Sequence, residues 1–276
     1  SSVFNLARLV GPSLAGFIFA YTGAGICFLL NAFSFVAVLV ALAFMQVPPL
    51  VRSVRAPAIL EGLREGFSAA FGFAPMRTMM ILTAIMSIAN SAYMTLLPVY
   101  AQETLHGEVG TYGSLLTAAG LGALLGASML VMRRSVVGLG WWILLLPAAY
   151  GLEMIAFSFV HTLWPARLLL CLNGFILMMQ LGATNTVVQT IVPETQRGRV
   201  MSYYMMSFLG LAPIGSLFGG DLAERIGRDQ VLQIAGGLCI LATLVFLPQR
   251  NRLRRQVHPI YARLRILPES VPDAES

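Results

Sequence analysis

Eight apolar runs decide what this chain can fold into. Each is long enough to cross a hydrocarbon core of about 30 Å, which takes roughly 20 residues of helix. Of the 276 residues, 57% are hydrophobic and 11% are charged, which is more apolar surface than a water-soluble domain of this size buries. The sequence therefore predicts an all-α membrane protein. The approximate spans are Val3 to Tyr21, Ile26 to Val47, Thr78 to Tyr100, Tyr112 to Met132, Gly138 to Val160, Leu163 to Val192, Val200 to Ala223 and Val231 to Pro248.

The basic residues predict the orientation of these spans. All 18 are Arg, and most fall in alternate connections between the apolar runs and in the C-terminal tail. Arg and Lys accumulate on the cytoplasmic side of membrane proteins. We therefore expect the C-terminus to be cytoplasmic. The basic residues on the expected cytoplasmic side are Arg8, at the start of the first span, and Arg52, Arg55, Arg64, Arg77, Arg133, Arg134, Arg197, Arg199, Arg250, Arg252, Arg254, Arg255, Arg263 and Arg265, against Arg167, Arg225 and Arg228 on the other.

A weak internal repeat links the first and seventh runs. Ser1 to Pro12 aligns with Ser202 to Pro213, so that Gly11-Pro12 falls on Ala212-Pro213. Such repeats are common in transporters. The second copy lies six spans after the first, which predicts a protein built from six-helix halves. Two helices of the first half and six of the second would then be present.

Several motifs resemble those of the major facilitator superfamily of secondary transporters. Residues 8–16 (RLVGPSLAG) are similar to the Gly-Pro motif in the fifth helix of its drug:proton antiporters, and residues 31–35 (NAFSF) to the sixth helix. Residues 192–202 (VPETQRGRVMS) and 98–101 (PVYA) resemble the enterobactin-exporter-like and macrolide-efflux-like branch. The resemblance implies a helical bundle of the major facilitator type with helices five to twelve present. It also implies that the chain begins within a longer protein.

The resemblance and the apolar runs together divide the chain into four parts. Residues 1–47 would be the last two helices of the N-terminal bundle, and residues 78–248 a six-helix C-terminal bundle. Pro48, Pro49 and Pro57 interrupt helix in the connection at 48–77, whose later apolar residues recur at helical spacing. We expect a cytoplasmic linker with an amphipathic helix there, and a basic cytoplasmic tail at 249–276.

Small residues at four-residue spacing predict a seam between the two bundles. They allow helix backbones to approach closely in a membrane, and the resemblance makes the first and fourth spans the inter-bundle pair. Ordinary packing is the alternative. The seam residues would be Ala7, Gly11, Pro12, Ala15 and Gly16 in the first span and Gly122 and Gly126 in the fourth.

Enzyme chemistry has no signature in the sequence. The three His residues are isolated, there is no Gly-rich phosphate loop, and no cluster of carboxylates shares a helix face. Cys27, Cys171 and Cys239 lie within apolar runs without paired spacing. We expect no catalytic residue, no cofactor and no metal site. The Arg residues lie between apolar runs rather than interleaved with aromatic residues, which argues against a nucleic-acid partner.

Glu153 is the acidic residue that lies well inside an apolar run. A charge buried in a membrane costs about 3 kcal/mol on insertion scales, so an intramembrane carboxyl group needs a partner or a function. One hypothesis is that Glu153 carries the coupling proton or meets a cationic substrate. A structural hydrogen-bonding role is the alternative, because the resemblance places this residue in a peripheral helix.

Other polar residues inside the spans are candidates for a substrate cavity. Asn173, Gln180 and Thr184 follow one stripe of the sixth run, which corresponds to the cavity-lining tenth helix of the family. Asn90 and Tyr93 lie together in the third run. A weakly polar wall of this kind suits a bulky amphipathic ligand, while hydrogen bonding between helices is the alternative.

Two functions remain open from the sequence. The first is a secondary active transporter of the bacterial inner membrane that exports a small hydrophobic or amphipathic molecule, such as a drug or siderophore, in exchange for a proton by alternating access. The second is a truncated, non-transporting membrane protein or a regulatory membrane partner. An open reading frame upstream that holds four more spans would favour the transporter, and a stop codon would favour the second hypothesis.

Overall fold

The computed structural model describes Ile18 and residues 25–45, 66–68, 70–107, 109–133 and 135–263. The chain divides into two compact units, Ser1–Glu61 and Gly62–Ser276. The described residues form helices and turns without a β-strand. Apart from Ile18, the first expected span lies outside the described residues, as do most of the linker and Arg134.

Nine α-helices with defined bounds follow one another along the described part of the chain, and residues 66–68 and 70–72 of the expected linker are helical as well. They are α1 (Gly25–Ala43), α2 (Ala74–Val99), α3 (Val109–Met132), α4 (Leu139–Phe157), α5 (Leu163–Ile191), α6 (Glu194–Met205), α7 (Ala212–Ile226), α8 (Arg228–Phe246) and α9 (Arg250–Arg263). A π-helical turn, Tyr100–Thr104, extends α2; another, Met206–Gly210, joins α6 to α7; and a 3₁₀ turn, Leu247–Gln249, joins α8 to α9.

Seven continuous helical stretches of the described chain are long and apolar enough to cross a membrane. They correspond to the second through eighth spans expected from the sequence. The all-helical membrane fold is therefore confirmed. Within unit Ser1–Glu61 the described span is α1, and the other six belong to unit Gly62–Ser276.

Glycine and proline explain where several helices begin. Gly138 and Gly227 adopt φ of +88° and +94°, a region that favours residues without a Cβ, and they precede α4 and α8. Pro213 lacks an N–H and lies in the first turn of α7, directly after the π-helical turn Met206–Gly210. The sixth predicted span is one uninterrupted helix, α5, whereas the seventh predicted span consists of α6 and α7 joined by this π-helical turn.

Close backbone contacts at glycines hold three pairs of helices together in unit Gly62–Ser276. A Cβ added to Gly122 of α3 would overlap the carbonyl oxygen of Cys171 in α5, and one at Gly126 would lie 2.7 Å from the carbonyl oxygen of Phe175. Helices α4 and α8 meet in the same way at Gly151. Helices α2 and α7 meet at Gly215 and Gly219. Small residues permit this approach, which maximises van der Waals contact in a solvent as apolar as lipid.

Two buried clusters fill the unit from one end of the helices to the other. One contains four aromatic side chains, Tyr93, Tyr100, Tyr150 and Phe157. The other lies where α2 and α4 begin and α5 ends, and it includes Leu253 of α9. Most candidate functional residues of α2, α4 and α5 lie in or beside the first cluster.

Candidate functional site

Glu153 lies at the centre of a polar network inside unit Gly62–Ser276. The residue is 3% exposed, and its carboxyl group accepts two hydrogen bonds, one on each oxygen. The Nδ2 of Asn173 in α5 donates to Oε2 at 2.8 Å, and the hydroxyl of Tyr93 in α2 donates to Oε1 at 3.3 Å. Three helices therefore converge on one carboxyl group.

A second hydrogen bond extends the network along α2 and α4. The Tyr150 hydroxyl donates to Oδ1 of Asn90 at 2.9 Å. Tyr150 and Asn173 are fully buried. Asn90, Tyr93, Tyr150, Glu153 and Asn173, which we call the Glu153 network, form two adjoining hydrogen-bonded groups between α2, α4 and α5. They adjoin because Asn90 lies three residues before Tyr93 on α2, and Tyr150 three residues before Glu153 on α4.

Packing fixes the geometry of the Glu153 network. The Tyr93 ring meets Phe157 edge-on, with the ring centroids 4.9 Å apart. Gly151, two residues before Glu153, contacts the backbone of Gly236 and so brings α8 against α4. Aromatic contacts and close helix packing leave the carboxyl group little freedom to turn away from its two donors.

No cationic side chain of the described residues pairs with Glu153. The ion pairs in that part of the chain join Arg197 to Glu194, Arg225 to Asp221 and Arg228 to Glu103. An ionised carboxyl group at this position would depend on the two neutral donors alone, which hydrogen-bond a charge but do not neutralise it.

Tyr93 lets the network accommodate either protonation state of Glu153. A tyrosine hydroxyl can donate one hydrogen bond and accept others, whereas a carboxylate only accepts and a carboxylic acid also donates. When the carboxyl group takes up a proton, rotation of the Tyr93 O–H would reverse the direction of the Tyr93–Glu153 hydrogen bond. Glu153 would then donate, and the Tyr93 hydroxyl oxygen would accept. The arrangement can bind and release a proton without moving a side chain.

Gln180 and Thr184 form a second, smaller polar group on α5. Both side chains are fully buried, and the Gln180 Nε2 lies 3.5 Å from the Thr184 Oγ1, to which it donates. The Gln180 Oε1 is buried without a hydrogen-bond partner among the described groups. These two residues and Asn173 share a stripe as expected, but only Asn173 joins the Glu153 network, where it bonds between helices.

Of the two helices predicted to form the seam, only the fourth span has its seam residues among those that the structure describes. Ala7, Gly11, Pro12, Ala15 and Gly16 lie outside them. Gly122 and Gly126 are buried, and the face that they share packs against α5. Sequence reasoning did not identify that partner, because a small-residue stripe specifies close approach and not which helix approaches. Contact between these glycines and the first span stays a prediction.

Tyr150 is the network residue that sequence reasoning missed. It lies three residues before Glu153, which places the two on neighbouring positions of one helix face. That spacing was the available signal. Asn90 and Tyr93 have the same three-residue spacing on α2.

Comparison with known proteins identifies the family. The family described as "Transmembrane secretion effector" matches residues 1–262, and the chain belongs to this family of major facilitator transporters. The chain is 28% identical over 262 residues to the multidrug efflux pump Tap of Mycolicibacterium fortuitum, a match that covers 91% of this chain and 63% of the relative. It is 26% identical over 250 residues to the staphyloferrin A transporter of Staphylococcus aureus, covering 89% and 61%.

A third relative is the uncharacterized MFS-type transporter YfmI of Bacillus subtilis, which is 22% identical over 275 residues, covering 94% of this chain and 64% of the relative. The chain thus spans less than two thirds of the length of these relatives. The three relatives are bacterial and are named as transporters. Together with the helices, they identify the chain as part of a multi-pass membrane transporter family.

Proposed function

We propose that the protein is a secondary active transporter that exports a small hydrophobic or amphipathic molecule in exchange for protons. Membership of the transmembrane secretion effector family supports this proposal. So do the names of two relatives, one a multidrug efflux pump and the other a staphyloferrin A transporter. The substrate would be of the same broad class, a drug or siderophore, and it would move by alternating access without catalysis.

The Glu153 network is the observation that carries the proton coupling. A carboxyl group buried in the membrane with no described cation beside it, held by a hydroxyl that can donate or accept, is equipped to take up and release a proton. In this mechanism Glu153 carries the proton, and Tyr93 and Asn173 position it. The proton exchanges when the outward or inward opening of the bundle gives the network access to water.

Gln180 is the residue of the polar stripe that we propose for substrate contact. Its amide Oε1 lacks a partner among the described groups, so a hydrogen-bond donor on the substrate could satisfy it. Thr184 would orient the amide through its hydrogen bond to Nε2. Asn90, Tyr93 and Asn173 would act on the substrate indirectly, through the protonation of Glu153.

The Arg distribution supports the orientation of the protein in the bacterial inner membrane. Helix α9 and its arginines follow the last span, and the same side would hold Arg133, Arg197 and Arg199. We therefore place the C-terminus in the cytoplasm, residues 78–248 in the C-terminal bundle, residues 1–47 in the N-terminal bundle and residues 48–77 in the linker.

Replacement of Glu153 by Gln tests the coupling. Gln keeps the size and can hydrogen-bond but cannot carry a proton. In bacterial cells that express the protein and are loaded with ethidium, we expect Glu153→Gln to abolish efflux driven by a pH gradient while leaving downhill dye exchange. Fluorescence of the loaded dye, followed with and without a protonophore, measures both rates.

Glu224→Gln is the matched control, because Glu224 is an exposed residue of α7. It should retain efflux and its dependence on the gradient. Glu153→Asp should retain part of the gradient-driven rate, since it keeps an ionisable group. If Glu153→Gln transports with unchanged dependence on pH, Glu153 has only a structural role.

A further inference from the structure

Helix α9 covers a cavity at the end of the bundle where α2 and α4 begin and α5 ends. The cavity has a volume of about 630 Å³. Side chains from all four helices line it, among them Met79 of α2, Trp141 of α4 and Val187 of α5. This is the size of cavity that small amphipathic ligands occupy in proteins.

The two sides of α9 differ in polarity. Leu253 is buried in the cluster at this end of the bundle, and Val257 and Tyr261 pack beside it. These three apolar residues also line the cavity. The helix is therefore docked on the bundle rather than extended into water.

Arginines lie beside these apolar walls. Arg250 and Arg254, one helical turn apart on α9, line the cavity together with His258. The guanidinium carbon of Arg250 lies 4.3 Å from the centroid of the Trp141 ring, a cation–π contact that holds the charge at the cavity wall.

Among the described residues, no acidic side chain lines this cavity and no carboxylate pairs with Arg250 or Arg254. The two charges are thus available to an anion from outside the described chain. An apolar wall with cations at its edge fits a molecule that carries a negative group on a hydrocarbon tail. A free inorganic anion would gain nothing from the wall, and an uncharged apolar molecule would gain nothing from the arginines.

We propose that this cavity binds an anionic phospholipid of the cytoplasmic leaflet, with its phosphate at Arg250 and Arg254 and part of one acyl chain against Trp141 and Val257. Basic pockets at the ends of membrane-spanning helices are suited to acidic headgroups. Such a lipid would bridge α9 to α2, α4 and α5. The leaflet follows from the proposed orientation, but the binding does not depend on transport.

Trp141 reports on the cavity directly. Replacing the other two tryptophans, in the variant Trp142→Phe/Trp164→Phe, leaves Trp141 as the single tryptophan of the full 276-residue chain. Bromine atoms on an acyl chain quench an indole only at contact. In mixed micelles, dibrominated phosphatidylglycerol should quench Trp141 at a lower mole fraction than dibrominated phosphatidylcholine.

Variants of the arginines distinguish lipid binding in this cavity from a general attraction of anionic lipid to the basic helix α9. In that background Arg250→Gln/Arg254→Gln should raise the half-saturating fraction of phosphatidylglycerol about 25-fold, at about fivefold for each arginine. Arg252→Gln/Arg263→Gln removes the same charge from exposed positions of α9 outside the cavity and should leave the fraction unchanged.

Three results would overturn the proposal. Equal quenching by the two lipids would show no preference for an anionic headgroup, and an equal loss in both arginine pairs would reduce the effect to surface charge. Full competition by millimolar glycerol phosphate would identify the occupant as a free anion rather than a lipid. Each readout is independent of ethidium efflux, so failure here leaves the proposed transport function untouched.

Discussion

The two faces of α5 are held in the bundle by different means. On one face, Gly174 approaches α3 so closely that an added Cβ would overlap the carbonyl oxygen of Ala119. Gly122 and Gly126 of α3 approach the backbone of α5 in the same way. On the other face, the adjacent Asn173 donates to Glu153. The first contact depends on shape, and the second on hydrogen bonding to a group that can change its charge.

The two faces of α5 therefore differ in whether they can respond to a change in pH or to a ligand. A backbone contact between glycines cannot respond to pH or to a ligand, because it contains no titratable or unpaired group. The Glu153 network changes its hydrogen bonding whenever a proton enters or leaves. Because residues 173 and 174 are consecutive, a change at the network acts on a helix whose opposite face is fixed to α3.

The largest effect is expected from breaking the glycine contact. Gly122→Leu would force α3 and α5 apart, since the added side chain meets backbone that cannot turn aside. We expect a loss of about 3 kcal/mol or more in stability and little folded protein in membranes. Size-exclusion chromatography of a fluorescent fusion extracted in mild detergent measures the folded fraction.

Gly120→Leu provides the control on the same helix, because a Cβ at Gly120 meets nothing within 4 Å. Its folded yield should match that of the unchanged protein. Similar yields from Gly122→Leu and Gly120→Leu would show that the close approach of α3 and α5 is not needed for the fold.

A smaller effect is expected from the polar face. Asn173→Ala removes the shorter of the two hydrogen bonds to Glu153 and leaves a buried carboxyl oxygen without that donor. We expect a loss of about 2 kcal/mol in stability, seen as a lower Tm in detergent. Asn185→Ala on the same helix alters only an exposed hydrogen bond from Gln189 and should change stability by less than about 0.5 kcal/mol. Equal Tm values for the two variants would contradict the role of Asn173.

The helices themselves were predictable from the sequence. Apolar length alone gave a fourth span of Tyr112 to Met132, where α3 covers Val109–Met132, and a sixth span of Leu163 to Val192, where α5 covers Leu163–Ile191. A membrane-spanning helix satisfies its own backbone hydrogen bonds, so its existence depends on local composition and little else.

The partners of each helix were not predictable in the same way. Gly122 and Gly126 pack on α5, a partner that the sequence did not identify, and their expected contact with the first span stays a prediction. The sequence indicates where backbones can approach, but the choice among several glycine-bearing helices depends on the packing of the whole bundle. The docking of α9 through Leu253 was missed for a related reason, since its many arginines predicted only a basic tail.

The polar residues were predictable in part, because the sequence identified them as candidates but did not show which of them form one site. Glu153 and Asn173 were both selected from the sequence, but for different roles, one for protons and one for substrate. They lie 20 residues apart on neighbouring helices, and their contact depends on the relative register of α4 and α5. Burial of polar groups in a membrane identifies candidates, whereas only the packed structure shows which candidates form one site.

The smallest expected effect distinguishes the two tyrosines of the Glu153 network. Tyr93 donates to Glu153 itself at 3.3 Å, whereas Tyr150 donates to Asn90. Tyr93→Phe combined with Glu153→Met, which removes the hydrogen-bonding group at similar size, should therefore show a coupling energy of about 0.5 to 1 kcal/mol in a double-mutant cycle measured by thermal unfolding in detergent. Tyr150→Phe combined with the same substitution should be additive to within about 0.3 kcal/mol. If the two cycles give equal coupling, the network responds to Glu153 as a single unit, and the hydroxyl of Tyr93 has no special part in accommodating the proton.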